Sequence, residues 1–196
     1  MRQKLTVGAL ALLIAGLPGA IGWRLIAATP AEDKKSPDPA RIERGAYLVR
    51  TMGCNDCHTP LKMGPKGPEP DMSRALTGHP ADVEMGPPPK LPNGRWAWVG
   101  ADTNTAFAGP WGVSFTMNLT PDKETGLGNW TEEMFIQTMR TGRHEGKGRP
   151  VKPPMPWFIV GALNDEDIKS LFAYLQSLPP VRNRVPATID PPEDGR

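Results

Sequence analysis

Apolar positions recur along this chain at helical spacing in three stretches. The clearest lies near the C-terminus, where Ile168, Leu171, Phe172, Leu175 and Leu178 follow at intervals of three and four. That period places them on one face of a helix. Asn164 stands where an N-cap belongs, Asp167 at the third helical position where a carboxylate can reach back, and Pro179-Pro180 ends the helix. A second helix follows Thr131 as its cap, with Glu132 and Glu133 in the first turn, where the helix dipole favours acids. Phe135, Ile136 and Met139 form its apolar face, and Arg140 and Gly142 mark its end. A third helix runs from about Pro39 to Thr51, capped by Asp38 and opened by Pro39. Ile42, Ala46 and Val49 share a face with Tyr47 and Leu48 beside them, and Gly53 stops the helix. Gly45 inside it costs stability relative to alanine, which points to the close approach of another helix.

Between the first two of these in chain order the pattern changes. From Thr59 to Met117, prolines at 60, 65, 68, 70, 80, 87, 88, 89, 92 and 110 leave little room for helix. Trp96 and Trp98 alternate with Ala97 and Val99, and Val113, Phe115 and Met117 alternate again, which predicts two short strands in a small hairpin. Asn118-Leu119-Thr120-Pro121-Asp122 and Thr125-Gly126-Leu127-Gly128 read as turns. At the start of the chain, Arg2 and Lys4 precede an uncharged run from Leu5 to Trp23. A basic region followed by an apolar one is an export signal, and its length approaches the roughly 20 residues that span a bilayer. Residues 1–28 therefore read as a signal peptide or an uncleaved membrane anchor, an apolar helix in either case. Both leave the basic end inside and export the body, to the periplasmic side of the inner membrane. Residues 29–38 are a polar tether, 39–185 the folded domain, and 186–196 a tail.

Composition narrows the partners. The chain has 196 residues, with 24 Pro, 21 Gly and a formal net charge of +2. Residues 1–28 hold three cations and no acid, which leaves 20 basic against 21 acidic residues in the rest. That balance gives no footprint for nucleic acid. One stretch departs from it: Arg140, Arg143, Lys147, Arg149 and Lys152 stand against the single acid Glu145.

The candidate chemistry is Cys54-Asn55-Asp56-Cys57-His58, which contains both cysteines of the chain. Cys-x-x-Cys-His is the attachment sequence of a c-type haem. Two thiols on one short segment can add to the two vinyl groups, and the next imidazole then faces the iron. A bare pair of cysteines can also be a redox dithiol or half a zinc site. The first would want a βαβ frame and the second further ligands at close spacing, and neither is visible. The haem reading expects one haem on Cys54 and Cys57, with His58 as an axial ligand. For the sixth position, Met155 lies in Pro153-Pro154-Met155-Pro156-Trp157, where the prolines stiffen the loop and lower the ordering cost of a weak thioether bond. Met63, Met72 and Met85 sit in loops without that stiffening, and Met134 and Met139 read as core filler. His79 and His144 remain as alternatives, each otherwise a plain surface residue. Trp111, Asn118, Trp130 and Trp157 are candidates for the haem surroundings, and Trp96 and Trp98 either cover a haem edge or anchor loops. Of the basic stretch, Arg143, Lys147, Arg149 and Lys152 either dock an acidic partner beside the haem edge, pair with haem propionates, or form a solvated face.

A helix into CxxCH, a stiff Met loop and a closing C-terminal helix resemble a class I c-type cytochrome. More narrowly, Asn118-Leu119-Thr120-Pro121-Asp122, Thr125-Gly126-Leu127-Gly128 with Trp130, Pro154-Met155-Pro156-Trp157, and Asp165-Glu166-Asp167-Ile168 through Leu175-Gln176-Ser177-Leu178-Pro179-Pro180-Val181 are similar to bacterial exported cytochromes related to the cytochrome subunits of membrane alcohol dehydrogenases. The likeness covers about residues 40–185. It implies a mainly α fold in which the first and last helices cross with the haem between them, and Gly45 meets Tyr174 or Phe172. One CxxCH allows one covalent haem, and the Pro/Gly-rich insert is longer than the minimal fold contains. The expected function is electron transfer to redox partner proteins, in a respiratory chain or as a subunit of a membrane redox complex, with no catalysis and no small-molecule substrate of its own. The alternative is a peroxidase-like haem enzyme or a gas sensor, both of which need an open or displaceable iron position.

Overall fold

Helix α1 spans Pro39–Thr51 and begins at its expected cap, the Asp38 carboxylate accepting from the Ala40 amide at 3.0 Å. The computed structural model describes residues 38–88, 90 and 95–191. The expected signal or anchor at 1–28 lies outside the described residues. Among the described residues no helix is long and apolar enough to cross a membrane.

Gly53, in the left-handed region at φ 69°, ends α1 and leads into a single turn, α2, at Cys54–His58. Helix α3 covers Glu132–Thr141, with the Thr131 hydroxyl accepting from the Met134 amide at 3.1 Å and Gly142 left-handed at its end. A short helix, α4, occupies Trp157–Gly161 and had no signal in the periodicity. Helix α5 is Asp165–Ser177, capped by the Asn164 side chain on the Asp167 amide at 2.8 Å.

Helices α1 and α5 cross at Gly45. A Cβ there would collide with the Ser170 carbonyl and stand 2.7 Å from the Tyr174 Cβ. Tyr174 is therefore the expected neighbour and Phe172 is not, because a residue two positions along a helix points to the other side. Phe172 instead meets Phe135 of α3, with ring centroids 5.3 Å apart. The crossing is stapled at its rim. Arg44 holds Asp167 in a two-pronged contact at 2.7 and 3.0 Å, and Arg41 meets Glu166 at 2.7 Å. The Asp167 carboxylate thus turns to Arg44 and to the Asn164 side-chain amide, rather than to the backbone of its own cap. Such rim pairs contribute little each, about 0–1 kcal/mol. Leu48 and Val49, Phe135 and Ile136, and Ile168, Leu171 and Leu175 form the buried core with Leu76 and Leu127 from the loops.

Two small antiparallel sheets occupy the insert, so the helical description fits the core and not this region. Strands β1 (Leu61–Gly64) and β2 (Gly67–Pro70) pair with Leu61 opposite Pro70. The prolines that argued against helix here are tolerated in strands because both strands of a two-stranded ribbon are edges. Strands β3 (Val99–Gly100), β4 (Ala106–Gly109) and β5 (Gly112–Phe115) form a second sheet in the order β3-β4-β5. The expected hairpin between the segments around Trp98 and Val113 is corrected by β4, which lies between them. Its sequence, Ala-Phe-Ala-Gly, carries too little contrast to announce a strand. Trp96 is exposed, and Trp98 meets Phe107 of β4 edge-on at 5.6 Å. Beyond residue 185, Ile189 exchanges two backbone hydrogen bonds with Val113 of β5, at 2.8 and 3.0 Å.

Gly45→Ala is expected to destabilise the folded protein by about 1–3 kcal/mol, the usual range for overpacking against a neighbour that cannot retreat. A denaturant titration of the two proteins checks this through the shift of the midpoint at unchanged slope.

Candidate functional site

Helix α2 is short because its caps are close: left-handed Gly53 on one side and extended Thr59 on the other. In one turn the third residue on returns to the same face, so Cys54 and Cys57 present their sulfurs together. Both are free thiols and half-buried. Burial pushes the Cys54 thiol up to about 11, and burial followed by the Asp56 charge raises Cys57 as well. A redox dithiol needs the opposite shift. Among the described residues no group of three or more His, Cys, Asp or Glu side chains could hold a metal ion. The dithiol and zinc readings therefore find no support here.

His58 follows at the end of the turn and is buried, at 8% exposure. Its Nδ1 lies 2.8 Å from the Met117 carbonyl oxygen. A carbonyl only accepts, so Nδ1 carries the proton and Nε2 keeps its lone pair. Burial holds the imidazole below its ordinary pKa, against a smaller opposing effect of the Met117 bond, so the ring is neutral. A neutral imidazole with one nitrogen donating to a carbonyl is the form that binds a metal through the other.

Several contacts fix this arrangement. The His58 carbonyl accepts from the Gly78 amide at 2.8 Å. Thr59, fully buried, donates to Asn55 at 2.9 Å and accepts from the Leu76 amide at 3.0 Å. Asn104 of the insert donates to the Asp56 carbonyl at 2.7 Å. Asn118 is also fully buried, but its side chain is occupied by Thr120, Thr125 and Val181, so it holds the turn after Met117 rather than offering a ligand contact.

Met155 is half-buried against the same apolar core that Cys54, Met117, Trp130 and Trp157 border. Its loop is held on both sides. Before it, the Ser114 hydroxyl of β5 donates to the Pro153 carbonyl at 2.6 Å. After it, Trp157 packs against Gly142 so closely that a Cβ there would collide with the ring. Paired thiols, a neutral imidazole with a free nitrogen, and a thioether on a shared apolar cluster are a donor set that fits a covalently held haem. Trp111 donates its indole N–H to Ser114 at 3.3 Å, and Trp130 lies edge-on to His144 at 5.0 Å.

His79 is corrected from a surface residue to a buried one, with 0% exposure. Its Nδ1 meets the Thr105 hydroxyl at 2.9 Å, and its ring lies 4.9 Å from that of Phe115. The signal that marked it was the uncharged stretch Leu76-Thr77-Gly78-His79-Pro80, in which a lone imidazole has no solvated neighbour. The basic stretch also resolves. Arg140 pairs with Asp165 at 2.6 Å, and Lys152 with Asp190 at 2.6 Å and the Trp111 carbonyl at 2.8 Å. Arg143, Lys147 and Arg149 make no ion pair among the described residues. An apolar cavity of about 590 Å³ lies on the insert, lined by Phe107, Val113, Phe115 and Met85 among others, and Cys54, Cys57, His58 and Met155 are not among its lining residues.

The family model for cytochrome c matches residues 42–179. The chain belongs to the cytochrome c family. Membership implies a covalently bound haem c and a role in electron transfer. The relatives agree with the narrower likeness. A nicotinate dehydrogenase subunit of Pseudomonas putida is 30% identical over 180 residues, which cover 91% of this chain and 12% of that protein. The cytochrome c subunit of the quinone alcohol dehydrogenase of Gluconobacter oxydans is 29% identical over 84% of this chain and 29% of its own length. The fructose dehydrogenase cytochrome subunit of Gluconobacter japonicus is 38% identical over 69% of this chain and 21% of its own. The cytochrome thus spans less than a third of the length of each of these relatives.

Gly142→Ala is expected to force both a strained backbone and the Trp157 ring, and with it the end of the Met155 loop. The predicted loss is about 1–3 kcal/mol, read from the denaturation midpoint of the holo-cytochrome.

Proposed function

We propose that this cytochrome is an exported electron carrier holding one haem, attached at Cys54 and Cys57, with His58 and Met155 as the axial ligands. The observation that carries the proposal is the neutral His58 ring, its Nδ1 bound to the Met117 carbonyl and its Nε2 left as a donor beside two free thiols. Bound haem supplies a one-electron couple, and a His/Met pair of ligands sets that couple at high potential. The chain's own residues do the rest. The Met117 carbonyl orients the imidazole, Ser114 and Trp157 hold the thioether in place, and the apolar core keeps water from both. The carrier works on the periplasmic side, tethered by residues 1–28 or freed from them. Its donor is a dehydrogenase subunit, as the relatives' names suggest, and its acceptor a respiratory partner. The peroxidase-like and gas-sensing alternatives need an open or displaceable iron position, and the peroxidase an acid–base group over it. His79 is bound into the insert and His144 packs on Trp130, which favours the carrier.

The docking surface is narrower than the basic stretch implies. Lys152 is mostly covered and paired, which leaves Arg143, Lys147 and Arg149 to steer an acidic partner. Beside them, Phe158 and Ile159 of α4 are exposed at 61% and 53%. They connect to the basic loop through Trp157, which touches both Phe158 and Gly142. An apolar centre with a cationic margin is the surface we propose for the partner.

The purified protein should retain haem on a denaturing gel, and its intact mass should exceed the polypeptide by one haem. Met155→Ala should lower the reduction potential and abolish the thioether-to-iron absorption band; survival of both would assign the sixth position to another residue.

For docking, the bimolecular electron-transfer rate with the native partner should fall as salt is added. Charge reversal at Lys147 and Arg149 should flatten that dependence while the potential stays where it was. An unchanged salt slope would remove these residues from the interface.

A further inference from the structure

We infer that Asn183 is a positioning residue for the axial histidine, acting through the segment 76–79; the inference rests on His58 as the iron ligand proposed above. Asn183 follows the last helix and lies beyond the residues 42–179 shared with the family. It is buried, at 7% exposure. Its Nδ2 donates to the Thr77 carbonyl at 2.7 Å and to the His79 carbonyl at 2.8 Å, and its Oδ1 accepts from the Ala81 amide at 2.9 Å. Its own amide donates to the Thr125 hydroxyl at 3.0 Å.

The segment needs such a partner. Leu76 and Gly78 are both left-handed, at φ 59° and 77°, so the chain here is too irregular to join a ladder along its length. A non-glycine residue holds that conformation only where its surroundings impose it. Buried carbonyls outside a ladder need another partner, and a side chain is one that can supply it. Asn183 does this for Thr77 and His79 with one carboxamide.

The opposite side of the same segment is the back of the haem ligand. The Gly78 amide donates to the His58 carbonyl at 2.8 Å, and the His79 amide to the Thr116 carbonyl at 2.9 Å. A Cβ on Gly78 would stand 2.6 Å from the Met117 oxygen, the atom that accepts from His58 Nδ1. The His58 ring and its carbonyl are thus both held by a pair of backbone segments, and Asn183 braces one of them from outside. Without the carboxamide, the Thr77 and His79 carbonyls and the Ala81 amide lose their partners, and the segment moves to recover them. Gly78 moves with it, and the Met117 carbonyl loses its support against His58. A weaker Nδ1–H···O bond makes the imidazole a poorer donor to iron, which favours the reduced state.

The test compares wild type, Asn183→Ala and Asn183→Leu as purified holo-cytochromes, well below the melting temperature of each. Leucine keeps the branched shape and removes every side-chain hydrogen bond, so it serves if alanine leaves a cavity the fold does not tolerate. Both variants should shift to more positive potential, read as about a tenfold change in the electron-exchange equilibrium with a reference carrier, the lower end for an outer partner of a metal ligand. The Nδ1–H resonance of His58 should move in the reduced protein while the thioether band persists. Lower stability with unmoved potential and unmoved ring resonance would overturn the assignment alone. A wild-type spectrum without histidine ligation would overturn the site reading and the assignment with it.

Discussion

The hydrogen bond from the His58 ring to the Met117 carbonyl joins positions 59 residues apart and decides the chemistry of both. Buried donors must be paired, and a carbonyl can only accept. Those two constraints fix the tautomer, and burial fixes the charge. The ring that results is neutral, with its free nitrogen turned from the bond, before any metal is considered. Thr59, Gly78 and Asn104 then hold the turn that carries it, each through a contact with a distant part of the insert or the loop before it. The CxxCH motif supplies the proposed ligand, and the segment 76–119 orients its ring and backbone.

The helical frame was legible because its determinants are local. Asp38, Thr131 and Asn164 each accept from an amide two or three residues on, and such contacts can be read from spacing alone. Gly45 could be read as a crossing point, although the residues it meets could not be separated without knowing the rotation of α5. What stayed hidden depends on distant partners. The ribbon β1-β2 tolerates prolines only because both strands are edges, and β4 gains its place from β3 and β5 rather than from its own pattern. His79 is buried by Thr105, Phe115 and Asn183, which come from two later parts of the chain.

The same limit governs charge. Five cations against one acid read as a single basic surface when counted along the chain. Two of the five meet Asp165 and Asp190, the latter 38 residues from its partner Lys152. Local net charge therefore overstates the field near the site. The three remaining cations, unpaired among the described residues, are exposed on the tight loop at the end of α3, where the Arg143 and Pro150 backbones bridge. Steering by such a loop needs only that its charges be unpaired at a distance comparable to the screening length, about 8 Å at physiological salt.

The insert is best understood through β5, whose two faces serve different ends. Val113 and Phe115 line the apolar cavity, while Ser114 between them donates to the Pro153 carbonyl at the start of the Met155 loop. Two residues past the strand, the Met117 carbonyl meets His58. One short extended segment therefore touches both proposed axial segments. Fixing a residue's backbone costs about 1–2 kcal/mol, and a thioether is a weak ligand that cannot offset many such residues by itself. A loop already held by Ser114, by its prolines and by Trp157 has lost that freedom on folding, not on ligation. The sheet also resists sliding, because β5 is paired with β4 on one side and with Ile189 on the other. Displacing the Met155 loop would thus require moving the strand whose continuation orients His58. The segments that carry the two proposed ligands are thus both tied to one strand and its continuation, the Met155 loop by Ser114 and His58 by the Met117 carbonyl.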